Sequence, residues 1–151
     1  MRTLVAVGVL GVLCATTQAQ ASGLGDRILK ANDELFHKGN LAYVEDAFTP
    51  GYTVHADGQS TPVGPHGIRD FVTAMRAAFP DLRVEIEVLV EDDDKVAWLR
   101  THRGTFETDC LGVKATGKPM MWQTLIVTRY EDGKIAEEWA VSNFGEQAEK
   151  E

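Results

Sequence analysis

The residues most suited to chemistry lie near the C-terminus, where an indole and an amide are predicted to share one face of a strand. Residues 132–133 read Asp-Gly, which predicts a tight hairpin turn because glycine tolerates a positive φ. Side chains after the turn alternate between the two faces of a strand. The predicted inward face holds Ile135, Glu137, Trp139, Val141 and Asn143. Such a face could close a core, or it could line an apolar pocket with Asn143 at its floor.

Two histidines are the candidate groups for proton transfer, since an unperturbed imidazole has a pKa of about 6.5. His55 ends a short predicted strand at residues 52–55. His102 shares a strand face with Trp98 and Arg100, from which it could meet His55 across the sheet. The alternatives are that the backbone satisfies His55 at its strand end and that His102 points to solvent.

Aromatic residues could form the wall of such a pocket around a flat apolar ligand, although each could instead belong to the core. Thr124 shares a predicted strand face with Trp122 and would lie beside this wall. The predicted wall consists of Tyr52, Phe79, Trp122 and Trp139.

The sequence predicts no metal site, no covalent nucleophile and no cofactor. Its four histidines lack the short spacing of zinc ligands. It contains neither a Gly-x-Ser-x-Gly motif nor a phosphate-binding loop. Cys110 has no histidine near it in sequence, so we expect a small buried hydrophobe.

The N-terminus predicts export, because residues 1–21 have the parts of a signal peptide. Arg2 supplies a positive start, residues 4–13 are apolar, and residues 19–21 read Ala-Gln-Ala. Cleavage there would leave one secreted or periplasmic domain, residues 22–151, with a net charge of −9 instead of −8. Such an acidic product is poorly suited to binding nucleic acid or an anionic membrane surface.

The order of the predicted elements indicates an α+β domain. The predicted helices span residues 26–38, 41–48 and 68–79. The predicted strands span residues 52–55, 82–90, 96–106, 119–130 and 135–144. Helices that precede a series of hairpins pack over one face of a curved, mainly antiparallel sheet. The charged tail, residues 145–151, is predicted to fray.

The strand at residues 119–130 is apolar on both faces. Trp122 and Ile126 lie on one face, and Met121 and Leu125 lie on the other. The core covers only one of them, so a neighbouring segment or a second subunit is expected to cover the other. We therefore predict a homodimer.

Several short motifs, in their order, resemble the SnoaL-like polyketide cyclase family, whose members are often called ester cyclases. The motifs are residues 64–69 (Gly-Pro-His-Gly-Ile-Arg), 78–82 (Ala-Phe-Pro-Asp-Leu), 104–105 (Gly-Thr), 116–118 (Thr-Gly-Lys) and 132–139 (Asp-Gly-Lys-Ile-Ala-Glu-Glu-Trp). The resemblance extends over residues 41–143. It implies a conical α+β barrel of the nuclear-transport-factor-2 type, with a pocket between the curved sheet and the helices.

The resemblance also implies a site chemistry, from which this chain departs at one position. Relatives close a ring on an aromatic polyketide by an intramolecular aldol step without metal or cofactor. His55 matches the family's histidine after the first strand, whereas Asn143 stands where the family has its acid/base aspartate. An amide cannot exchange a proton near neutral pH. Either another residue is the base, or the cyclase activity has been lost.

Three functions therefore remain open. The first is a cofactor-independent cyclase or isomerase for a small apolar carbonyl compound, in which His55 is the base and Asn143 holds the developing oxyanion. His102 is the further catalytic candidate. The second is a non-catalytic pocket for a small apolar or aromatic ligand, because Asn143 replaces the acid. The third is that the domain mainly provides a dimer surface through the outward face of its long strands.

Overall fold

Six strands form one curved sheet in the computed structural model, which describes residues 23–150. The strands are β1 (Phe48–Ala56), β2 (Gln59–Pro62), β3 (Arg83–Glu91), β4 (Lys95–Thr105), β5 (Pro119–Glu131) and β6 (Lys134–Ser142). Their order across the sheet is β2-β1-β6-β5-β4-β3. Only β1 and β6 run parallel, and the other neighbours are antiparallel. The predicted signal segment lies outside the described residues.

Helices precede, interrupt and follow the strands. They are α1 (Leu24–Asn32), which continues as a π-helical turn (Asp33–His37), α2 (Val44–Ala47) after a 3-10 turn (Leu41–Tyr43), α3 (Gly64–Ala78) and α4 (Phe144–Lys150). In the part of the chain that the structure describes, no helix combines the length and the apolar character needed to cross a membrane. The predicted α+β class is confirmed.

Helix α3 forms because its terminal residues and its apolar stripe favour a helix over the same segment. Pro65 lies in its first turn, where a fixed φ suits a helix and no N–H is needed. Val72, Met75 and Ala78 are buried at the spacing of one helical face. Pro80 cannot continue the helix. The buried face packs against β1 and fixes one wall of the interior.

A β-bulge at Ala136 changes which side chains of β6 face the interior. Ile135 pairs with Tyr130 on β5, but Glu137 pairs with Arg129, so Ala136 has no opposite residue. An extra residue in one strand moves every later side chain to the other face. Beyond the bulge, the even-numbered residues therefore face inward.

The predicted face of the last strand is therefore wrong beyond Ile135. Trp139 is 39% exposed and Val141 is 75% exposed, both on the outer face of the sheet. Glu138 and Ala140 instead line the interior. A sequence window cannot reveal this shift, because the bulge depends on pairing with β5.

The predicted frayed tail is also wrong, since residues 144–150 form a helix. Phe144 and Ala148 are buried on its inner side. The Phe144 ring packs edge-on against Trp122, with 5.2 Å between their centroids. This aromatic anchor orders a segment whose charged composition suggested mobility. Residue 151 lies outside the described residues.

The two faces of β5 are as predicted. Trp122, Thr124 and Ile126 are buried, whereas Met121 and Leu125 are each 46% exposed. The exposed side chains leave an apolar strip on the outer face of the sheet. The homodimer stays a prediction, and a monomer in sedimentation at micromolar concentration would contradict it.

Candidate functional site

A cavity of about 370 Å³ lies between the inner face of the sheet and helices α1 and α3. Its size falls within the range of small-molecule sites, and its wall is mostly apolar. The polar side chains on the wall include Asn32, Tyr52, Arg100, His102, Thr124 and Glu138.

Glu138 is the carboxyl group of this cavity, and hydroxyls hold both of its oxygens. Tyr52 donates from Oη to Glu138 Oε2 at 2.5 Å. Thr128 donates from Oγ1 to Glu138 Oε1 at 2.8 Å. Trp98 donates from Nε1 to Thr128 Oγ1 at 2.9 Å, which fixes that hydroxyl in turn. The carboxyl group therefore has one preferred orientation at the cavity wall.

The environment of Glu138 makes its carboxylate more basic than that of an ordinary glutamate. Burial raises the pKa of the carboxyl above its ordinary value, while the hydrogen bonds from Tyr52 and Thr128 and the charge of Arg100 oppose the rise. Burial also raises the pKa of the Tyr52 phenol well above its ordinary value. Tyr52 thus stays a neutral donor, and Glu138 has a carboxylate of increased basicity.

Arg100 brings a positive charge to the same wall. Its guanidinium lies over two aromatic rings, 5.0 Å from the centroid of Phe36 and 5.5 Å from that of Trp98. Nη1 donates to Asn32 Oδ1 at 3.4 Å, and Nε is buried without a partner. Within residues 23–150, no carboxylate forms an ion pair with this group.

His102 is a neutral imidazole in the wall. It is 1% exposed and stacks on Trp122, with 4.4 Å between ring centroids and 4° between planes. Both ring nitrogens are buried and neither makes a hydrogen bond among the described residues. Burial, and then the charge of Arg100, lower the pKa of His102 to about 2, and an interaction with the Trp122 backbone opposes this change. His102 can donate or accept a hydrogen bond but carries no charge near neutral pH.

His55, the predicted base, lies on the outer face of the sheet. Alternation along β1 turns Tyr52 and Val54 into the cavity and His55 away from it. Its ring stacks on Trp139 at 4.7 Å, and Nδ1 lies 2.8 Å from Ser60 Oγ. The expectation that His55 and Trp139 share a pocket with the remaining candidates is therefore corrected.

Asn143 and Phe79 have structural surroundings outside the cavity wall. Asn143 Oδ1 accepts a hydrogen bond from the Gln123 backbone N–H at 2.8 Å. Its own carbonyl accepts one from the Gln147 N–H at 3.0 Å, at the start of α4. Phe79 is fully buried and stacks on Phe106 at 4.8 Å. Asn143 thus joins β5 to α4, and Phe79 belongs to the core.

The structure brings four of the predicted residues together. Tyr52, His102, Trp122 and Thr124 all line the cavity. Sequence reasoning missed Glu138 and gave Arg100 no role. Adjacent Glu137 and Glu138 did signal that one carboxylate must face inward, but the bulge determined which one.

Cys110 is buried, as predicted, with Sγ 3.7 Å from Met75 Sδ. Burial raises the pKa of its thiol, which disfavours the thiolate form needed of a nucleophile. In the described residues, no group of three His, Cys, Asp or Glu side chains is placed to hold a metal ion.

The arrangement combines a basic carboxylate, a phenol donor, a neutral imidazole and a guanidinium around an apolar cavity. A carboxylate of raised pKa can remove a proton from carbon next to a carbonyl group. Donors and positive charge in a site of low dielectric constant stabilise the oxyanion that forms. The geometry is thus suited to enolisation.

Comparisons with known proteins agree with this fold. The sequence model of the SnoaL-like polyketide cyclase family matches residues 26–148. A candidate polyketide cyclase from Acidithiobacillus ferrooxidans has a TM-score of 0.72 at 23% identity, covering 87% of this chain and 96% of its own. A SnoaL-like polyketide cyclase from Agrobacterium tumefaciens has a TM-score of 0.66 at 26% identity, covering 79% and 90%.

A third similar structure is IdmH, a candidate polyketide cyclase from Streptomyces antibioticus. Its TM-score is 0.68 at 25% identity, and the match covers 83% of this chain and 96% of IdmH. No curated protein matches the chain.

Proposed function

The chain belongs to the SnoaL-like polyketide cyclase family, and on that basis we propose that it is a cofactor-independent acid–base enzyme acting on a small apolar carbonyl compound. The observation that supports this most is the carboxyl of Glu138, held at the cavity wall by Tyr52 and Thr128. This proposal keeps the reaction class expected from the sequence and replaces His55 by Glu138 as the base.

The first step is removal of a proton from carbon α to the substrate carbonyl. The C–H electron pair becomes the carbon–carbon double bond of an enolate, and the proton goes to Glu138. The negative charge moves from the carboxylate to the substrate oxygen, so the net charge of the cavity is unchanged. His102 can donate a hydrogen bond to that oxygen.

The second step decides between a cyclase and an isomerase. In a cyclase, the enolate carbon attacks a second carbonyl of the same molecule, and the new alkoxide takes the proton from Glu138. In an isomerase, Glu138 returns the proton to a different carbon. The apolar wall excludes water that would otherwise protonate the enolate.

Hydrogen exchange tests the proposed function without knowledge of the natural substrate. The probe is 2-tetralone in D₂O, whose α-proton signals are followed by NMR. We expect the protein to accelerate their loss above the rate in buffer. Exchange at the buffer rate, with 2-tetralone bound, would contradict catalysis and support the second candidate, a binding pocket. Asn143 in the place of the family's acid favours that second candidate.

We also propose that the protein is exported, on the evidence of residues 1–21. The expected mature chain begins at Ser22 and is recovered from the periplasm or the medium. Mass spectrometry of the protein from its native host checks this. Recovery of a chain that retains residues 1–21 from the cytosol would contradict it.

A further inference from the structure

Arg100 lines the cavity with a positive charge that forms no ion pair among the described residues. Elsewhere in the chain, Arg129 lies 3.2 Å from Glu137 and Arg69 contacts Glu45. Arg100 instead has one long hydrogen bond to Asn32, two adjacent rings and an unpartnered Nε. A buried charge is costly unless it is paired and hydrogen-bonded.

The charge of Glu138 acts on Arg100, but the two side chains form no close ion pair. Its two oxygens receive the hydroxyl protons of Tyr52 and Thr128. No ion pair joins it to Arg100 within the described part of the chain. Two oppositely charged side chains thus line one cavity while remaining separate, which leaves the guanidinium free to pair with a ligand.

We propose that the ligand of this cavity carries a carboxylate on a flat apolar body, and that Arg100 binds the carboxylate. The inference rests on the proposed function, since it concerns the same cavity. Removing the guanidinium from water costs free energy, which an ion pair with a ligand would offset. A carboxylate fits the planar N–H donors of the guanidinium with two parallel hydrogen bonds. The rings of Phe36, Trp98 and Trp122 line the same space and suit a flat body.

His102 adds a second, uncharged donor, which remains available for the carbonyl oxygen of the ligand. Its ring nitrogens have no hydrogen-bond partner among the described residues. The ring lines the cavity two residues after Arg100 on β4, and so on the same face of that strand. A neutral imidazole carries a proton on one nitrogen and can donate it. The ligand would therefore meet one ionic and one neutral donor from the same strand.

An anionic ligand also suits the role of Glu138. The charge of Arg100 is one of the effects that hold the pKa of Glu138 down. A bound carboxylate would cancel that charge and leave Glu138 a stronger base. Ligand recognition would thus increase the basicity needed for proton removal.

Two probes of nearly the same shape distinguish the contribution of the carboxylate charge to binding from that of the apolar contacts. These are 2-naphthoate and 2-naphthamide, titrated by calorimetry against the mature protein. We expect the acid to bind about ten- to a hundredfold more tightly, which is the usual range for a hydrogen bond to a charged group. In Arg100→Met, the naphthoate affinity should fall to that of the amide. The matched control Arg129→Met, on the outer face, should keep the preference.

Each result decides between the proposals. Equal or tighter binding of the amide by the wild-type protein would overturn the carboxylate inference and leave the proposed function standing, because 2-tetralone exchange tests that function with a neutral ketone. Failure of both probes to bind at millimolar concentration would also overturn the carboxylate inference, whereas the 2-tetralone exchange alone decides the proposed function. If Arg100→Met does not fold, the wild-type comparison alone decides.

Discussion

Replacing Glu138 with Gln is expected to reduce the protein-catalysed α-proton exchange of 2-tetralone by about 10²- to 10⁴-fold, the usual contribution of a general base. The amide has nearly the same shape but cannot take up a proton near neutral pH. Its carbonyl oxygen can still accept the hydrogen bond from Tyr52. We therefore expect a folded variant that still binds the ketone, and NMR measures the loss of exchange.

Glu137→Gln is the matched control for this variant. Glu137 is adjacent in sequence but lies on the outer face, paired with Arg129 at 3.2 Å. Its replacement should leave the exchange rate unchanged. A similar loss in both variants would assign the effect to stability or net charge, and an unchanged rate in Glu138→Gln would remove Glu138 from the mechanism.

Acidification from pH 7 to pH 5 is expected to destabilise the protein through His102. The pKa of His102 is lowered from 6.5 to about 2 in the folded state. The unfolded chain therefore takes up the proton first, and stability present above pH 6.5 is lost as the pH falls from 6.5 towards 2. At pH 5 the loss amounts to about 2 kcal/mol, from about 1.4 kcal/mol for each pH unit below 6.5.

A comparison of variants isolates this contribution. His102→Phe keeps a ring against Trp122 and has no titratable nitrogen. Urea unfolding measures the free energy of unfolding at pH 7 and at pH 5. Its decrease between the two pH values should be about 2 kcal/mol smaller for His102→Phe than for the wild type. His66→Gln is the control, since His66 has a side chain that is 83% exposed, and it should behave as the wild type. Equal losses in all three proteins would show that His102 is not buried as a neutral group.

Glu138 changes the free energy of unfolding in the opposite direction to His102 over part of the same pH range. Its pKa is raised from 4.5 in the folded state, so its contribution is greatest below pH 4.5 and is lost as the pH rises towards the folded value. The change of the wild-type free energy of unfolding with pH is therefore the sum of these two opposing contributions. The difference between wild type and His102→Phe removes the Glu138 contribution, because both proteins contain it.

The sequence was sufficient for the fold because its signals are local. The apolar stripe of α3 and the alternation of β5 each need only a few neighbouring residues to be recognised. The order of helices and hairpins then leaves few arrangements that bury one face of each. For the same reason, Tyr52, Trp122 and Thr124 could be expected on the inner face of their strands.

Tertiary structure alone selected the groups that face the cavity. One unpaired residue, Ala136, moves Glu138 inward and turns Trp139 outward, because period-two alternation passes any shift on to the end of the strand. Likewise, the burial that keeps His102 neutral and the lack of an ion pair at Arg100 depend on what α1 and β6 bring to the same cavity. The sequence thus determined the domain and most of the wall, whereas the pairing of β5 with β6 determined which carboxylate that wall contains.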